Sequence, residues 1–209
     1  MKVIALNGSP HSHGNTYLAI RAVLDEIESQ GIETEILHIG GHAVKGCVGC
    51  SKCFREGHCI VPDEQFEAWA QKLYDADGVL LAAPAYYGGM PGVMKTFLDR
   101  FFYQVRKNVP MRYKVGASIA VLRRSGGITT LDSLNRYFYG SEMLVAPTPC
   151  PEIIHGCVPD EVLQDAEGVD TMKKLGRNIA WILKMKEAAQ ETVSPPPYQE
   201  RIYMNFIRT

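Results

Sequence analysis

Nowhere in the 209 residues do more than two Lys or Arg stand side by side, and 22 basic residues against 23 acidic ones leave a formal charge of −1. The missing basic run argues against a nucleic-acid binder, which needs a Lys/Arg stripe for phosphate contacts, and against a polybasic membrane anchor. A long apolar run is missing as well. Met1 to Pro10 reads MKVIALNGSP, whose apolar stretch after Lys2 is too short for a signal-peptide core and ends in a Gly-Ser-Pro turn. These absences predict a cytoplasmic protein that acts on neither nucleic acid nor membrane. Two phosphate signatures are also absent: the Gly-Lys-Ser/Thr of a nucleoside-triphosphate loop and the three-glycine spacing that admits a pyrophosphate.

What is present is ordinary globular composition, 46% apolar and 22% charged. A chain of this length fits one domain that buries roughly 70% of its unfolded surface, so neither disulfides nor metal are needed merely to fold. Any metal would then be functional. Six cysteines occur, and four crowd between Cys47 and Cys59. The length is wrong for a small secreted disulfide scaffold, so cluster or metal ligation is the better first reading.

Along the chain, Lys2–Leu6 is a short β-rich run, followed by the turn Asn7-Gly8-Ser9-Pro10 and by Gly14-Asn15-Thr16. Ile20, Val23, Leu24 and Ile27 then mark one helix face, and Gly31 sits where that helix would stop. Thr34–Ile39 reads as a second strand, and Gly40-Gly41 opens a long cysteine-rich connection. Phe66, Trp69, Ala70 and Leu73 repeat the helical spacing, and Gly78–Ala83 is the continuous apolar run of a buried parallel strand. Met94, Phe97, Leu98 and Phe101 mark a helix beginning near Pro91. Lys114–Leu122 is a strand, Leu131, Leu134 and Phe138 a helix, Met143–Ala146 a short fifth strand closed by Pro147, and Val158–Ala189 mostly helix. Five strands alternating with helices predict an α/β domain with a parallel sheet and helices on both faces, with ligands at the carboxyl ends of the strands. The expected domain is residues 1–190, with a cysteine-rich insertion at 40–62 and an extended tail at 191–209.

The loop Gly8-Ser9-Pro10-His11-Ser12-His13-Gly14-Asn15-Thr16 offers hydroxyls, an amide and free backbone N–H groups at a helix start. Such a start can hold a terminal phosphate without Lys or Arg, and His11 and His13 can add a donor. The alternative is a capped turn with no ligand. The loop Pro84-Ala85-Tyr86-Tyr87-Gly88-Gly89-Met90-Pro91 pairs two aromatic rings with glycines that let backbone approach a flat ligand; alone, it can equally be packing or interface. Arg124-Ser125-Gly126-Gly127 exposes backbone donors at the same sheet edge.

Asn7-Gly8-Ser9-Pro10 with Gly14-Asn15-Thr16, and Pro84–Pro91 leading to Phe97-Leu98-Asp99-Arg100, resemble the NAD(P)H-dependent FMN reductase branch of the flavodoxin-like superfamily. The resemblance covers most of the chain. It implies a flavodoxin-like doubly wound sheet of strand order 2-1-3-4-5, with FMN phosphate on the first loop and ring and ribityl chain on the other two. The resemblance assigns Ser9, Ser12, Asn15, Thr16, Pro84, Tyr86, Gly88 and Gly126 to cofactor binding, and the same loops add His11, Gly14, Ala85, Tyr87, Gly89, Arg124, Ser125 and Gly127 as candidates. A homodimer or homotetramer is implied too.

Cys47-x2-Cys50-x2-Cys53-x5-Cys59 brings four thiols into one short stretch, and four thiolates can ligate a [4Fe-4S] centre. The run resembles the compact cysteine motif of iron-sulfur flavoproteins in the same superfamily. Zinc sites more often divide their ligands into two separated pairs, and similar loops without a cluster carry thiols as packing or redox-reactive groups. Cys150 and Cys157 lack near partners in sequence and read as buried small hydrophobes. The expected function is an FMN-dependent oxidoreductase taking a hydride from NAD(P)H and passing electrons to a quinone, a flavin or an electron-transfer protein. The cofactor does the bond chemistry, so no catalytic side chain is named. The rivals are a non-enzymatic flavodoxin-type electron carrier and a non-redox phosphate-ligand module with a zinc site. Tyr198–Phe206 carries aromatics too numerous for a solvated end, which predicts packing on a neighbouring subunit, with packing on its own domain as the alternative.

Overall fold

A computed structural model of the chain describes residues 1–106, 110–199 and 202. Its strands are β1 (Lys2–Asn7), β2 (Glu33–His38), β3 (Gly78–Pro84), β4 (Val115–Leu122), β5 (Leu144–Val145) and β6 (Ile153–His155). Its helices are α1 (Asn15–Glu28), α2 (Cys53–Glu56), α3 (Glu64–Asp75), α4 (Gly92–Gln104), α5 (Gly127–Tyr139) and α6 (Ala166–Ala189), with a 3-10 turn at Glu161–Gln164. The strands pair in parallel in the order β2-β1-β3-β4-β5. This is the doubly wound flavodoxin-like order expected from the sequence.

Alternation along the central strands sends side chains to two separate cores. Val3, Ala5, Leu80, Ala82, Ala117 and Ile119 face α1 and α6, whereas Ile4, Leu6, Val79, Leu81 and Ala83 face α3, α4 and α5. The helices pack accordingly: Ile20, Val23, Leu24 and Ile27 of α1 are wholly buried, as are Phe97, Leu98 and Phe101 of α4. Asp63 caps α3 by accepting from the Phe66 amide at 3.0 Å, and Asp165 caps α6 by accepting from Gly168 at 2.9 Å. Among the described residues no helix is long and apolar enough to cross a membrane.

The fifth position of the sheet differs from the expected single strand at Met143–Ala146. Two short segments share it. β5 lies beside the start of β4 (Val115↔Leu144), and β6 lies beside its end (Ala120↔Ile153 to Leu122↔His155). Between them stand Pro147, Pro149 and Pro151, which lack the N–H a continuous strand would donate. In the tail, Arg112 donates to the Pro196 carbonyl at 3.0 Å, and its guanidinium carbon lies 5.8 Å from the centre of the Tyr198 ring. This part of the tail therefore touches its own domain. The rest of the Tyr198–Phe206 segment lies outside the described residues apart from Gln199 and Ile202.

Candidate functional site

Parallel strands bring the loops after β1, β3 and β4 to one edge of the sheet. The first of these is folded around Asn7, which is wholly buried. Asn7 Oδ1 accepts from the Ser9 amide at 3.0 Å, and Nδ2 donates to the Ser12 carbonyl at 3.3 Å. The Ser9 hydroxyl accepts from the His11 amide at 3.2 Å. The loop's polar groups are thus tied inward and its turn is fixed before α1 begins. Gly14 stands at the N-cap with no side-chain cap, and no acidic residue occupies the first turn. Leu18 is the first amide to find a carbonyl, that of Gly14 at 3.2 Å. Asn15, Thr16 and Tyr17 leave their N–H groups free among the described residues, the condition under which a helix start attracts an anion.

Ser9, His11, Gly14, Asn15 and Thr16 line a cleft of about 220 Å³ together with Pro84, Ala85 and Tyr86. Its far wall, missed from sequence, consists of Arg123, Gly156 and Cys157. Asn15 Nδ2 donates to the Val158 carbonyl at 2.9 Å, and Glu161 accepts from the Cys157 and Val158 amides. Those two amides hold the Glu161 carboxyl below its ordinary pKa. Gly156 is packed so tightly that a Cβ would lie 2.7 Å from Val162 Cγ1. Asn15 Oδ1 is left buried without a hydrogen-bond partner among the described residues. Arg123 adds a cation to this cleft beside a first loop that itself carries no Lys or Arg. Only the Arg123-Arg124 doublet hinted at this, since sequence gives no sign of which Arg turns toward β1. Ser12 instead bonds His13 Nδ1 at 3.0 Å on the exposed side.

The two remaining loops meet. Tyr86 and Gly89 exchange backbone hydrogen bonds of 2.7 and 3.0 Å, making a tight turn in which Tyr87 and Gly88 both have positive φ, 51° and 81°. Tyr86 is half exposed, and Tyr87 stands fully in solvent. Thr129 Oγ1 donates to the Gly88 carbonyl at 2.5 Å, which fastens this turn to the start of α5. Ala85, Tyr87 and Gly88 share a second cleft of about 440 Å³ with Leu122–Ser125. A third, of about 470 Å³, continues past Arg124–Gly127 to His155 and Asp165.

The cysteine segment lies elsewhere, along the second half of α4. Cys47, Cys50, Cys53 and Cys59 all line one small pocket with Arg100, Tyr103 and Gln104. At about 1.5 Å rise per residue, Arg100 lies about 12 Å along α4 from Gly92 at the loop edge. The segment is fastened there by Ser51 Oγ to Tyr103 OH at 3.0 Å, Phe54 stacked on Tyr103, and the Cys59 amide donating to Gln104 Oε1 at 2.9 Å. Burial pushes the Cys53 thiol up in pKa, and the neighbouring Cys59, Cys47 and Cys50 push it further. All four are free thiols. They do not converge on one point: among the described residues no three His, Cys, Asp or Glu side chains are placed to hold a single metal ion. Cys150 and Cys157 are exposed rather than buried, and neither joins the four.

Beneath the pocket Arg100 is 1% exposed. Its Nε donates to Cys59 Sγ at 3.2 Å, Nη1 pairs with Asp63 at 3.3 Å, and Nη2 donates to the Val61 carbonyl. Burial works to raise Asp63, but the Phe66 amide, His42 and Arg100 together hold its carboxyl below its ordinary pKa. The sequence signal for Arg100 was available: it stands among Phe97, Leu98, Phe101 and Phe102 on a helix whose buried residues are mostly apolar.

A flavodoxin-like sheet with a neutral helix start, an aromatic-glycine turn and a second glycine loop at one edge defines a mononucleotide-binding α/β protein. The chain matches the NADPH-dependent FMN reductase family over residues 1–155 and belongs to it. Within the family it lies in the iron-sulfur flavoprotein branch of oxidoreductases. It is 33% identical to an iron-sulfur flavoprotein of Methanocaldococcus jannaschii over 192 residues, 88% of this chain and 98% of that protein. An iron-sulfur flavoprotein of Archaeoglobus fulgidus is 31% identical over 83% of this chain and 86% of its own length. Among solved structures, a flavone reductase aligns with TM-score 0.72 at 20% identity, over 91% of this chain and 65% of that one, which is less than two thirds of its length. An archaeal flavodoxin aligns with TM-score 0.57 at 19% identity, over 88% of this chain and 99% of that one.

Proposed function

We propose that the chain binds one FMN across the carboxyl edge of its sheet, takes reducing equivalents from NAD(P)H and passes them to an acceptor. A [4Fe-4S] centre on Cys47, Cys50, Cys53 and Cys59 would serve as the outlet. The observation that carries this reading is the meeting of three loops at one edge, with unpaired amides at the first and a hydrogen bond from the Thr129 hydroxyl to the Gly88 carbonyl joining the other two. When bound, FMN supplies two-electron exchange with the nicotinamide and the cluster supplies single-electron steps.

The protein's own part is binding and orientation. The amides at the start of α1, with Ser9, Thr16 and Arg123, suit one terminal phosphate, and the loop has no glycine pattern for a pyrophosphate. The buried Asn15 Oδ1 is an acceptor for a hydroxyl such as the ribityl chain carries. Pro84–Gly89 and Arg124–Gly127 wall a flat ring and keep bulk water from its faces, and no side chain is required as general acid or base. The donor set of the cysteine pocket fits a cubane, whose four ligands are spread over four irons, better than one zinc, whose four sulfurs must lie about 2.3 Å from a single centre. A quinone, a flavin or an electron-transfer protein serves as acceptor. The reading further includes a cytoplasmic homodimer or homotetramer built from a 1–190 domain and its tail.

Anaerobic purification followed by absorption, flavin extraction, and iron and acid-labile sulfide analysis tests the reading. Stoichiometric FMN with about four irons per chain is expected. Stoichiometric FAD or a colourless protein overturns it, the latter favouring a zinc-bearing phosphate-ligand module. Steady-state NAD(P)H oxidation separates a reductase from a flavodoxin-type carrier.

A further inference from the structure

Arg100 is an odd residue to find in the middle of α4. Its side chain has no exposure, and its guanidinium carbon lies over the Phe66 ring, 3.8 Å from the centroid. Buried arginines ordinarily spend their planar fork on one carboxylate, because two parallel bonds to Asp or Glu repay desolvation best. Here the fork is divided. One edge meets Asp63 at 3.3 Å, the end donates to the Val61 carbonyl, and Nε points at Cys59 Sγ, 3.2 Å away. Glu67 approaches only to 3.6 Å, and its Oε1 is buried with no hydrogen-bond partner among the described residues. The carboxylate that could have completed a bidentate pair is thus passed over in favour of a sulfur.

From this geometry we infer that Arg100 is a positioning residue for Cys59, its fixed cation and N–H···S bond setting the reduction potential of the cluster the cysteine loop holds. The inference rests on the cluster reading given above. The physical reason is direct. Adding an electron increases negative charge at the ligand sulfurs, and a buried cation with an N–H aimed at one of them favours the reduced state. Asp63 tempers that cation from the other side. It is itself held by the Phe66 amide at 3.0 Å and His42 Nε2 at 3.2 Å, so it does not swing away. The pair Arg100–Asp63 therefore sets the local potential by two opposed charges at fixed positions.

The test compares wild type with Arg100→Gln, Arg100→Lys and Asp63→Asn, purified anaerobically with iron, sulfide and FMN quantified, by potentiometric titration of the cluster signal. Arg100→Gln removes charge and N–H···S bond together and should lower the equilibrium constant for cluster reduction at least about tenfold, about 59 mV for a one-electron couple. Arg100→Lys keeps charge without the fork and should lower it less. Asp63→Asn keeps the acceptor that caps α3 but removes the opposing charge, so its potential should rise. A merely structural ion pair would not produce shifts of opposite sign. If Arg100→Gln does not fold, Arg100→Lys and Asp63→Asn still decide the sign. Wild type with FMN but no iron after reconstitution overturns the cluster reading and this inference with it. Intact clusters whose potentials are unmoved, or moved in one direction by all three variants, overturn the role of Arg100 alone.

Discussion

Gly126 sits against Gly88 so closely that a Cβ built on it would lie 2.7 Å from the Gly88 Cα, and its φ of +88° lies in the left-handed region. The loop after β4 thus rests directly on the turn after β3. Gly126→Ala should be costly on both counts: about 1–2 kcal/mol for the side chain in that conformation, plus displacement of the Tyr87-Gly88 turn. Because both loops move, FMN affinity should fall about tenfold or more while the two cores stay intact. Fluorescence titration of the apoprotein with FMN, beside a thermal melt, checks this. A folded variant with wild-type affinity would show that the contact does not shape the site.

Asn7 offers a second point of attack, since one buried amide organises the whole phosphate turn. Asn7→Ala would leave the buried Ser9 amide unpaired, at a cost of about 1–3 kcal/mol, and would also release the Ser12 carbonyl at the surface. Thr16→Ala tests the cleft itself. Loss of one hydrogen bond to a charged phosphate, about 1.5–3 kcal/mol, corresponds to about one to two decades in dissociation constant. The two variants should differ in proportion: Asn7→Ala lowers stability and FMN binding together, whereas Thr16→Ala, which deletes one buried methyl and one hydroxyl, falls mainly on binding. Urea unfolding of the apoproteins separates them, and an unchanged FMN affinity in Thr16→Ala would remove the phosphate from this cleft.

Much of this arrangement was legible in the sequence for a physical reason. The apolar spacing of Ile20, Val23, Leu24 and Ile27 and the continuous run of β3 are local patterns, and a parallel sheet then delivers the loops between them to one edge without further information. What was hidden depends on long-range placement. β6 is three residues between a proline and a glycine, too short for periodicity, and exists because β4 has a free edge beside Ala120–Leu122. Gly156 and the Val158 carbonyl close the phosphate cleft, opposite α1 and beside Arg123 at the end of β4, only because β6 returns them there. Arg100 carried a signal, a charge on an apolar helix face, but its partner sulfur lies forty-one positions away in the chain.

Asp165 gives a pH-dependent expectation. Burial works to raise its pKa, but the Gly168 amide, the His155 amide and the His155 ring more than offset this, so the folded value lies below the ordinary 3.8. A depressed carboxylate contributes stability that is present above its unfolded pKa and lost as pH falls through the folded one. Asp165→Ala should therefore cost about 1 kcal/mol near neutrality, from the lost cap of α6. The gap from wild type should narrow in acid. Urea midpoints measured from about pH 6 to about pH 2.5 follow it. A gap constant across that range would show that the carboxylate charge is not its source.

Cys50 is exposed, touches no core and shares its pocket with three other thiols, so it separates ligand chemistry from folding. A cubane needs a ligand for each iron, and hydroxyls replace thiolates poorly. Cys50→Ser should abolish or destabilise the cluster while leaving the stability of the cluster-free protein within about 0.5 kcal/mol of cluster-free wild type, as for surface changes generally. FMN content should be unchanged, because the phosphate turn is built from Gly8–Thr16 and β3 and β4 carry the ring loops, none of which uses these thiols. Flavin and iron thus part company in one substitution. The preparation must be anaerobic, since an exposed cluster can be lost in air and an iron-free aerobic sample would not distinguish loss from absence. Iron and acid-labile sulfide that persist at wild-type stoichiometry in Cys50→Ser would remove this residue from the ligand set. Flavin lost together with the iron would show that the two sites are coupled through the α4 surface that lies between them.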